Sequence, residues 1–285
     1  MRIAAIHDLS CFGRCALTVI LPVLSVMGHQ VVPVPTALLS THTGGFERER
    51  LFFLDLTDEM KRISDHFYEL GVCFDAIYSG FLGDERQIEA VESIIDRFSG
   101  KGCPVLIDPV MGDDGELYST YNDELVEGMK RLCHRADIIT PNLTEACLLT
   151  GVAYRDTSIM EDGELEAYID SICSAIELAY ADTRPQIVIT GIHKGEREVV
   201  TVLCMPNGER RKLKHRRLMR GYPGTGDIFA SVLLGAYLKN KDICCAAEEA
   251  CEFVARTIEY TMDHPTATRE GVALEPLLPL LARVQ

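Results

Sequence analysis

Short runs of β-branched and other apolar residues alternate along this chain with longer stretches whose apolar positions recur every three or four residues. The first rhythm is that of buried strands and the second that of helices with one apolar face. "RIAAIHD" (2–8) predicts a strand, and "GRCALTVILPVLSVMG" (13–28) a helix that Gly28 would stop. "QVVPVPTAL" (30–38) predicts an extended segment, because its prolines forbid a helix. The later part of 47–71 predicts a helix, "FDAIYSGFLG" (74–83) a buried strand and 84–100 a helix. "CPVLIDPVMG" (103–112) and "DIITPN" (137–142) predict strands, with a helix at 122–136 between them and a short one at 143–151. A long helix within 161–181 leads to a strand at "QIVITGIHKG" (186–195). Residues 198–218 predict a β-hairpin turning at Pro206-Asn207-Gly208. "GYPGTGDIFASVLLGAYL" (221–238) pairs a glycine-rich start with a helical apolar stretch, and 242–264 predicts the closing helix.

Strand–helix alternation at this spacing implies an α/β fold in three layers, α/β/α, with a mostly parallel central sheet covered by helices on both faces. No internal repeat, low-complexity tract or linker interrupts it, so residues 1–285 are expected to form a single domain. Ligands of such sheets bind beyond the carboxyl ends of the strands. The polar and glycine-rich clusters "HDLSCFG", "STHTGGF", "SGFLG", "DPVMGDDG", "TPNLTEA" and "TGIHKG" all follow predicted strands, and "GYPGTGD" opens its helix at the same edge. They predict an active-site rim.

Composition narrows the chemistry. Acids outnumber bases 43 to 28, for a net charge of −15, which argues against a nucleic-acid binder. No run reaches the roughly 18 apolar residues of a spanning helix, and the start "MRIAAIHDLS" lacks the apolar core of a signal peptide. A cytoplasmic protein without a membrane partner is expected. Eleven scattered cysteines show no paired zinc spacing, and reduced thiols in the core are the expectation.

Gly224-Thr225-Gly226-Asp227 carries the sharpest signal. Unpaired N–H groups at a helix start attract anions, and glycines let a phosphate come close. The P-loop pattern G-x-x-x-x-G-K-[ST] is absent, which excludes a Walker-type ATPase. An aspartate beside an anion-binding backbone could take the proton of an attacking hydroxyl while the amides hold the transferring group. It could equally cap its own helix.

"GTGD" at a late helix start resembles the anion hole and catalytic base of the ribokinase superfamily. "SCFGR", "STHTGGF", "SGFLG", "DPVMG" and "TPNLTEA", in this order, resemble the pyridoxal/pyridoxamine kinase branch over roughly residues 3 to 265. The resemblance implies a ribokinase-like fold. It implies Asp227 as catalytic base, with Gly224, Thr225 and Gly226 as anion hole. Asp108 and Glu145 would organise Mg²⁺ near ATP, through water. Thr140, Thr190 and Gly191 would lie beside the nucleotide, together with those two acids. Thr43 and Gly44 would contact the pyridine substrate. The family often has a serine at the end of the first strand. Asp8 stands at that position here, with Ser10 two residues on, and both are assigned to substrate binding. A homodimer is implied, and a requirement for a monovalent cation such as K⁺ stays open.

Taken alone, Asp108 could end a strand and Glu145 could be a first-turn helix acid favoured by the dipole. His7 and His42 could touch substrate or be structural. The basic run "RRKLKHRRLMR" (210–220) could hold phosphates or be a solvated hairpin strand. The expected activity is ATP-dependent phosphorylation of the 5′-hydroxymethyl group of a vitamin B6 vitamer. The alternatives are a hydroxymethylpyrimidine (phosphate) kinase with the same machinery and a non-catalytic B6- or nucleotide-binding protein.

Overall fold

A computed structural model of the chain describes residues 1–46, 50–218 and 221–282. It divides into two compact units, Met1–Pro104 with Arg220–Gln285, and Val105–Met219. The first begins with β1 (Arg2–Phe12), α1 (Leu17–Val26), β2 (Gln30–Thr41), β3 (Phe53–Asp55), α2 (Thr57–Glu69), β4 (Ala76–Ser79) and α3 (Glu85–Phe98). Its strands are ordered β4-β1-β2-β3. β1 runs parallel to both neighbours, and β3 pairs antiparallel with β2. A strand flanked on both sides and covered on both faces is apolar without alternation, and Ile3, Ala4, Ala5 and Ile6 are fully buried.

The second unit holds β5 (Val105–Ile107), β6 (Gly112–Asp113), β7 (Glu116–Leu117), α4 (Asp123–Cys133), β8 (Ile138–Ile139), α5 (Leu143–Thr150), α6 (Asp162–Ala179), β9 (Gln186–Lys194), β10 (Glu198–Cys204) and β11 (Arg210–Arg216). Its strand order is β11-β10-β9-β8-β5. The β5, β8 and β9 pairings are parallel, while β10 is antiparallel to both its neighbours. The expected hairpin is present, with Gly208 supplying the positive φ of its turn. Basic residues of β11 face acids of α6. Arg210 binds Glu177 at 2.7 Å and Lys212 pairs with Glu166. The run at 210–216 is therefore a hairpin strand with intramolecular partners. The last two residues of the basic run 210–220, 219 and 220, lie outside the described residues.

The chain returns to the first unit with α7 (Thr225–Asn240) and α8 (Ile243–Asp263). Ile228 to Ala236 of α7 are buried, as befits a helix apolar on every side. The class is three-layer α/β with a mostly parallel sheet, as the alternation implies. Among the described residues no helix is long and apolar enough to cross a membrane.

Several boundaries differ from the sequence expectation. β1 runs on to Phe12, so Asp8 and Ser10 belong to the strand and not to a loop after it. α1 starts only at Leu17, because residues 13–16 turn to meet the start of α7. The edge strand β3, the small β6–β7 pair and short 3-10 turns at Thr268–Glu270 and Leu278–Leu281 carry too few residues for a periodic signal.

His7 is structural. Its ring is fully buried, meets Tyr78 edge-on at 4.3 Å, and burial drops its pKa to about 3. It also fills the space over Gly80, where a Cβ would stand 2.3 Å from the ring. Gly80→Ala should therefore destabilise the protein by about 1–3 kcal/mol through overpacking. Chemical denaturation checks this. In the double variant with His7→Ala the cost should be less than the sum of the single ones, because the clash is gone.

Candidate active site

The start of α7 is shaped by a close approach. Gly224, its N-cap, has φ +80°, and a Cβ there would fall 2.1 Å from the Arg14 carbonyl oxygen. Only glycine tolerates both conditions. With residues 13–16 pressed against the helix start, the Ala16 amide donates to Asp227 Oδ2 at 2.8 Å and the Cys15 thiol donates to the same oxygen at 3.4 Å. Ala16 holds φ +50°, a region that non-glycine residues rarely occupy, which keeps its N–H aimed at that carboxylate. Asp227 thus reaches to another loop and does not cap its own helix. The first helical bond runs from Ile228 N–H to the Gly224 carbonyl, so the amides of Thr225, Gly226 and Asp227 precede it. Gly226 is exposed, with no atom within 4 Å of where its Cβ would be. Space for an anion lies above that turn.

A second carboxyl belongs to the same surroundings. Asp8 is 6% exposed and accepts from Ser10 Oγ at 2.7 Å. Burial, reinforced by the charge of Asp227 and opposed by the Ser10 bond, pushes its pKa up to about 7. Burial also raises Asp227, but the Ala16 amide and the Cys15 thiol counteract it. The carboxylate held by the Ala16 amide and the Cys15 thiol ionises first, so Asp227 carries the charge that raises Asp8, which keeps its proton longer. The Cys15 thiol is pushed well up by burial and by both aspartates, which makes it a donor and not a nucleophile.

Thr43 is half-buried and Gly44 exposed in the turn that follows β2. His42, just before them, bonds the Arg269 carbonyl, and the next carbonyl, that of Glu270, accepts from Arg14 N–H. Asp8, Ser10, Cys15 and Asp227 therefore converge directly, whereas Thr43 and Gly44 join them through His42.

In the second unit, Asp108, Thr140, Glu145, Thr190 and Gly191 come together. Thr140 Oγ1 donates to Asp108 Oδ1 at 2.9 Å. α5 opens with a capping box. Asn142 Oδ1 accepts from Glu145 N–H at 2.9 Å, and Glu145 Oε2 accepts from Asn142 N–H at 2.7 Å. Glu145 Oε1 also accepts from Met111 N–H at 3.1 Å. Glu145 is thus a first-turn helix acid, and each of its oxygens retains an unused lone pair. Thr190 pairs with Asn142 through an isolated parallel bridge, which brings Thr190 and Gly191 to the start of α5. Burial, then the charge of Asp108, raises Glu145 well above the carboxylate range against the pull of its amide bonds. Two buried acids that repel each other fit a divalent cation, which would remove that repulsion. Among the described residues no three His, Cys, Asp or Glu side chains form a ready metal cage. Magnesium keeps much of its water and binds through one or two carboxylates plus phosphates, so this donor set suits it.

The sequence did not single out the Ala16 amide, the Cys15 thiol or the segment after α8 that holds these turns. "GRCA" beside a glycine was the available signal for the first two, but it lay hidden inside an apparent helix.

Fold and clusters define a small-molecule kinase of ribokinase-like architecture. The profile of the phosphomethylpyrimidine kinase family matches residues 61–270, and the chain belongs to that family. It is similar to a Bacteroides thetaiotaomicron protein that carries a phosphomethylpyrimidine kinase name and was crystallised with pyridoxal. The two are 38% identical, with a TM-score of 0.87 over 99% of this chain and 96% of the other. Pyridoxal kinase from Lactobacillus plantarum is 28% identical, with a TM-score of 0.87 over 98% and 96% of the two chains. Hydroxymethylpyrimidine/phosphomethylpyrimidine kinase from Bacillus subtilis is 30% identical over 190 residues, 66% of this chain and 65% of that protein.

The raised pKa of Asp8 has a consequence for stability. A native carboxyl that holds its proton more tightly than the unfolded chain makes the protein less stable as pH rises from about 4, the ordinary carboxyl range, through about 7. Asp8→Asn should remove that loss. Its melting temperature should exceed that of the parent at pH 8, and the difference should shrink towards pH 5. An equal difference at both pH values would show that Asp8 does not titrate in this window.

Proposed function

We propose that the chain transfers the γ-phosphoryl group of ATP to the 5′-hydroxymethyl group of a vitamin B6 vitamer, giving the 5′-phosphate and ADP. The observation that carries this reading is the state of Asp227. Its carboxylate is fixed by two donors on one oxygen, which leaves the other to accept a proton, and it stands beside helix-start amides open to an anion. A pure binding protein has no need of a base held in this way.

In this reading residues 1–285 act as one kinase domain. Asp227 takes the proton of the acceptor hydroxyl as the oxygen attacks, and the amides of Gly224, Thr225 and Gly226 stabilise charge on the transferring group. Asp8, Ser10, Thr43 and Gly44 bind the acceptor ring. Asp108 and Glu145 hold Mg²⁺ through water, with Thr140, Thr190 and Gly191 beside the nucleotide. Magnesium supplies neutralising charge to the phosphates of a chain that is itself strongly acidic. A homodimer goes with this reading. Phe52, Phe53 and Leu54 around the edge strand β3 are exposed apolar surface that a second copy would cover.

The B6 assignment draws support from the pyridoxal-containing relative, which aligns over nearly the whole chain. A second reading, phosphorylation of a hydroxymethylpyrimidine, draws on the family name and on the Bacillus subtilis relative. ATP consumption across pyridoxal, pyridoxine, pyridoxamine, hydroxymethylpyrimidine and ribose separates the two. Turnover confined to the pyrimidine would overturn the B6 reading.

On the preferred acceptor, Asp227→Asn should lower kcat by about 10²–10⁴-fold, because the amide keeps the shape but takes no proton. ATP affinity should hold or improve. A loss under tenfold in single-turnover transfer by the folded variant would move the base elsewhere. Chelation of divalent metal should abolish transfer and Mg²⁺ should restore it. Full activity in metal-free buffer would refute the roles of Asp108 and Glu145.

A further inference from the structure

The segment that follows α8 fastens the turns bearing the proposed acceptor residues. It is itself well anchored. Ala273 N–H donates to the buried Thr261 Oγ1 at 2.8 Å, and Thr266 Oγ1 donates to the Gly271 carbonyl at 3.1 Å. Val272, Ala273 and Leu274 are buried. Towards the Asp227 side, Arg14 N–H donates to the Glu270 carbonyl at 3.0 Å, and Arg14 Nε meets Glu275 Oε1 at 2.7 Å. Gly271, at φ +79°, lies so close to the Arg14 carbonyl that a Cβ would stand 2.9 Å from it. The loop whose amide and thiol hold Asp227 is thus braced from behind.

The other attachment is a single side chain. His42 Nε2 lies 2.7 Å from the Arg269 carbonyl, and Gly44 N–H donates to His42 Nδ1 at 3.2 Å. A carbonyl can only accept and an amide can only donate. The two bonds therefore require the neutral ring with its proton on Nε2. Neither nitrogen is left over for a ligand. The ring is 5% exposed, is wedged against Gly13, and meets Phe46 edge-on at 5.0 Å. The Arg269 guanidinium lies 5.3 Å from the centre of the same Phe46 ring.

We propose that His42 is a positioning residue for the acceptor: it ties the turn carrying Thr43 and Gly44 to the segment that also braces the Asp227 loop. This deepens the functional reading and rests on the assignment of Thr43 and Gly44 to the acceptor. With the tie in place the turn is preset. Without it the turn populates other conformations, and apparent affinity falls in proportion to the competent fraction. Binding of ATP does not draw on this turn.

Three variants separate the tie from a general structural role. His42→Leu removes both bonds, whereas Asn can keep the bond from Gly44 and Gln the one to Arg269. With pyridoxal as acceptor, His42→Leu should raise KM roughly 5–30-fold, the effect of losing one or two hydrogen bonds, with KM for ATP unchanged. Asn and Gln should each fall between the parent and Leu. Hydrogen exchange of the Gly44 amide in the ligand-free protein should quicken in Leu and Gln but not in Asn. An unaltered pyridoxal KM in His42→Leu, alongside a raised one in Thr43→Val, would overturn the tie and leave the acceptor assignment standing. If Thr43→Val also has no effect, the assignment falls with it. Equal defects in all three His42 variants, with Gly44 exchange unaltered, would equally overturn the proposal, since direct contact would then be what was lost. If His42→Leu does not fold, the order of exchange rates in Asn and Gln decides.

Discussion

The contact between the backbone of residues 14–16 and the first turn of α7 is the constraint on which the surroundings of Asp227 depend. Arg14 presents its carbonyl to Gly224 and Gly271, and Ala16 presents its amide to Asp227. Each requirement follows from the others. The carboxylate needs donors because burial disfavours its charge, and the nearest available donor is a backbone N–H. Aiming that N–H places Ala16 at positive φ, a conformation that costs of order 1–3 kcal/mol and persists only where its surroundings over-determine it. Bringing the two backbones together leaves no room for a side chain at position 224. A strained alanine and a left-handed glycine are two sides of one packing problem.

Buried acids recur in both units, and each environment sets a different charge state. Asp227 has two donors and Asp8 has one hydroxyl, so equal residue types separate in acidity within one surface. Glu145 spends its oxygens on the amides of Met111 and Asn142, which makes it at once a cap of α5 and a neighbour of Asp108. A capping role and a metal role are therefore compatible in one residue, since two amide bonds leave lone pairs free. Four basic residues of β11 take no part in this balance, because acids of α6 pair with Arg210 and Lys212, and Glu209 and Glu198 with Arg211 and Lys214.

His42 and the segment at 266–275 add a mechanical element. A short irregular stretch at the end of a chain rarely draws notice, yet here it contacts the turns after both β1 and β2. Its own hold comes from a threonine hydroxyl buried within α8, which serves a backbone amide that has no strand to pair with. The rigid elements carry the site and this segment fixes the loops upon them.

Much of this was legible in the amino-acid order. Periodicity gave the alternating strands and helices, because a buried strand and a one-faced helix each impose their own spacing on apolar residues. The glycines and Asp227 at the start of α7 pointed to an anion-binding turn with a base beside it, or to a capped helix start, since both need those residue types next to one another in the chain. Asp108 stood out at the end of its strand and Glu145 in the first turn of its helix, while Thr140 was named through the family resemblance alone. The partners of Asp227 were not legible. Cys15 and Ala16 lie some 210 residues away in sequence and read as the first turn of a helix. Whether Asp227 was a cap or a base, and whether the basic run of β11 was free or paired, depended on contacts between distant segments. Local sequence fixes backbone preference and residue chemistry; only the folded chain brings an amide to a carboxylate and so decides what that carboxylate can do.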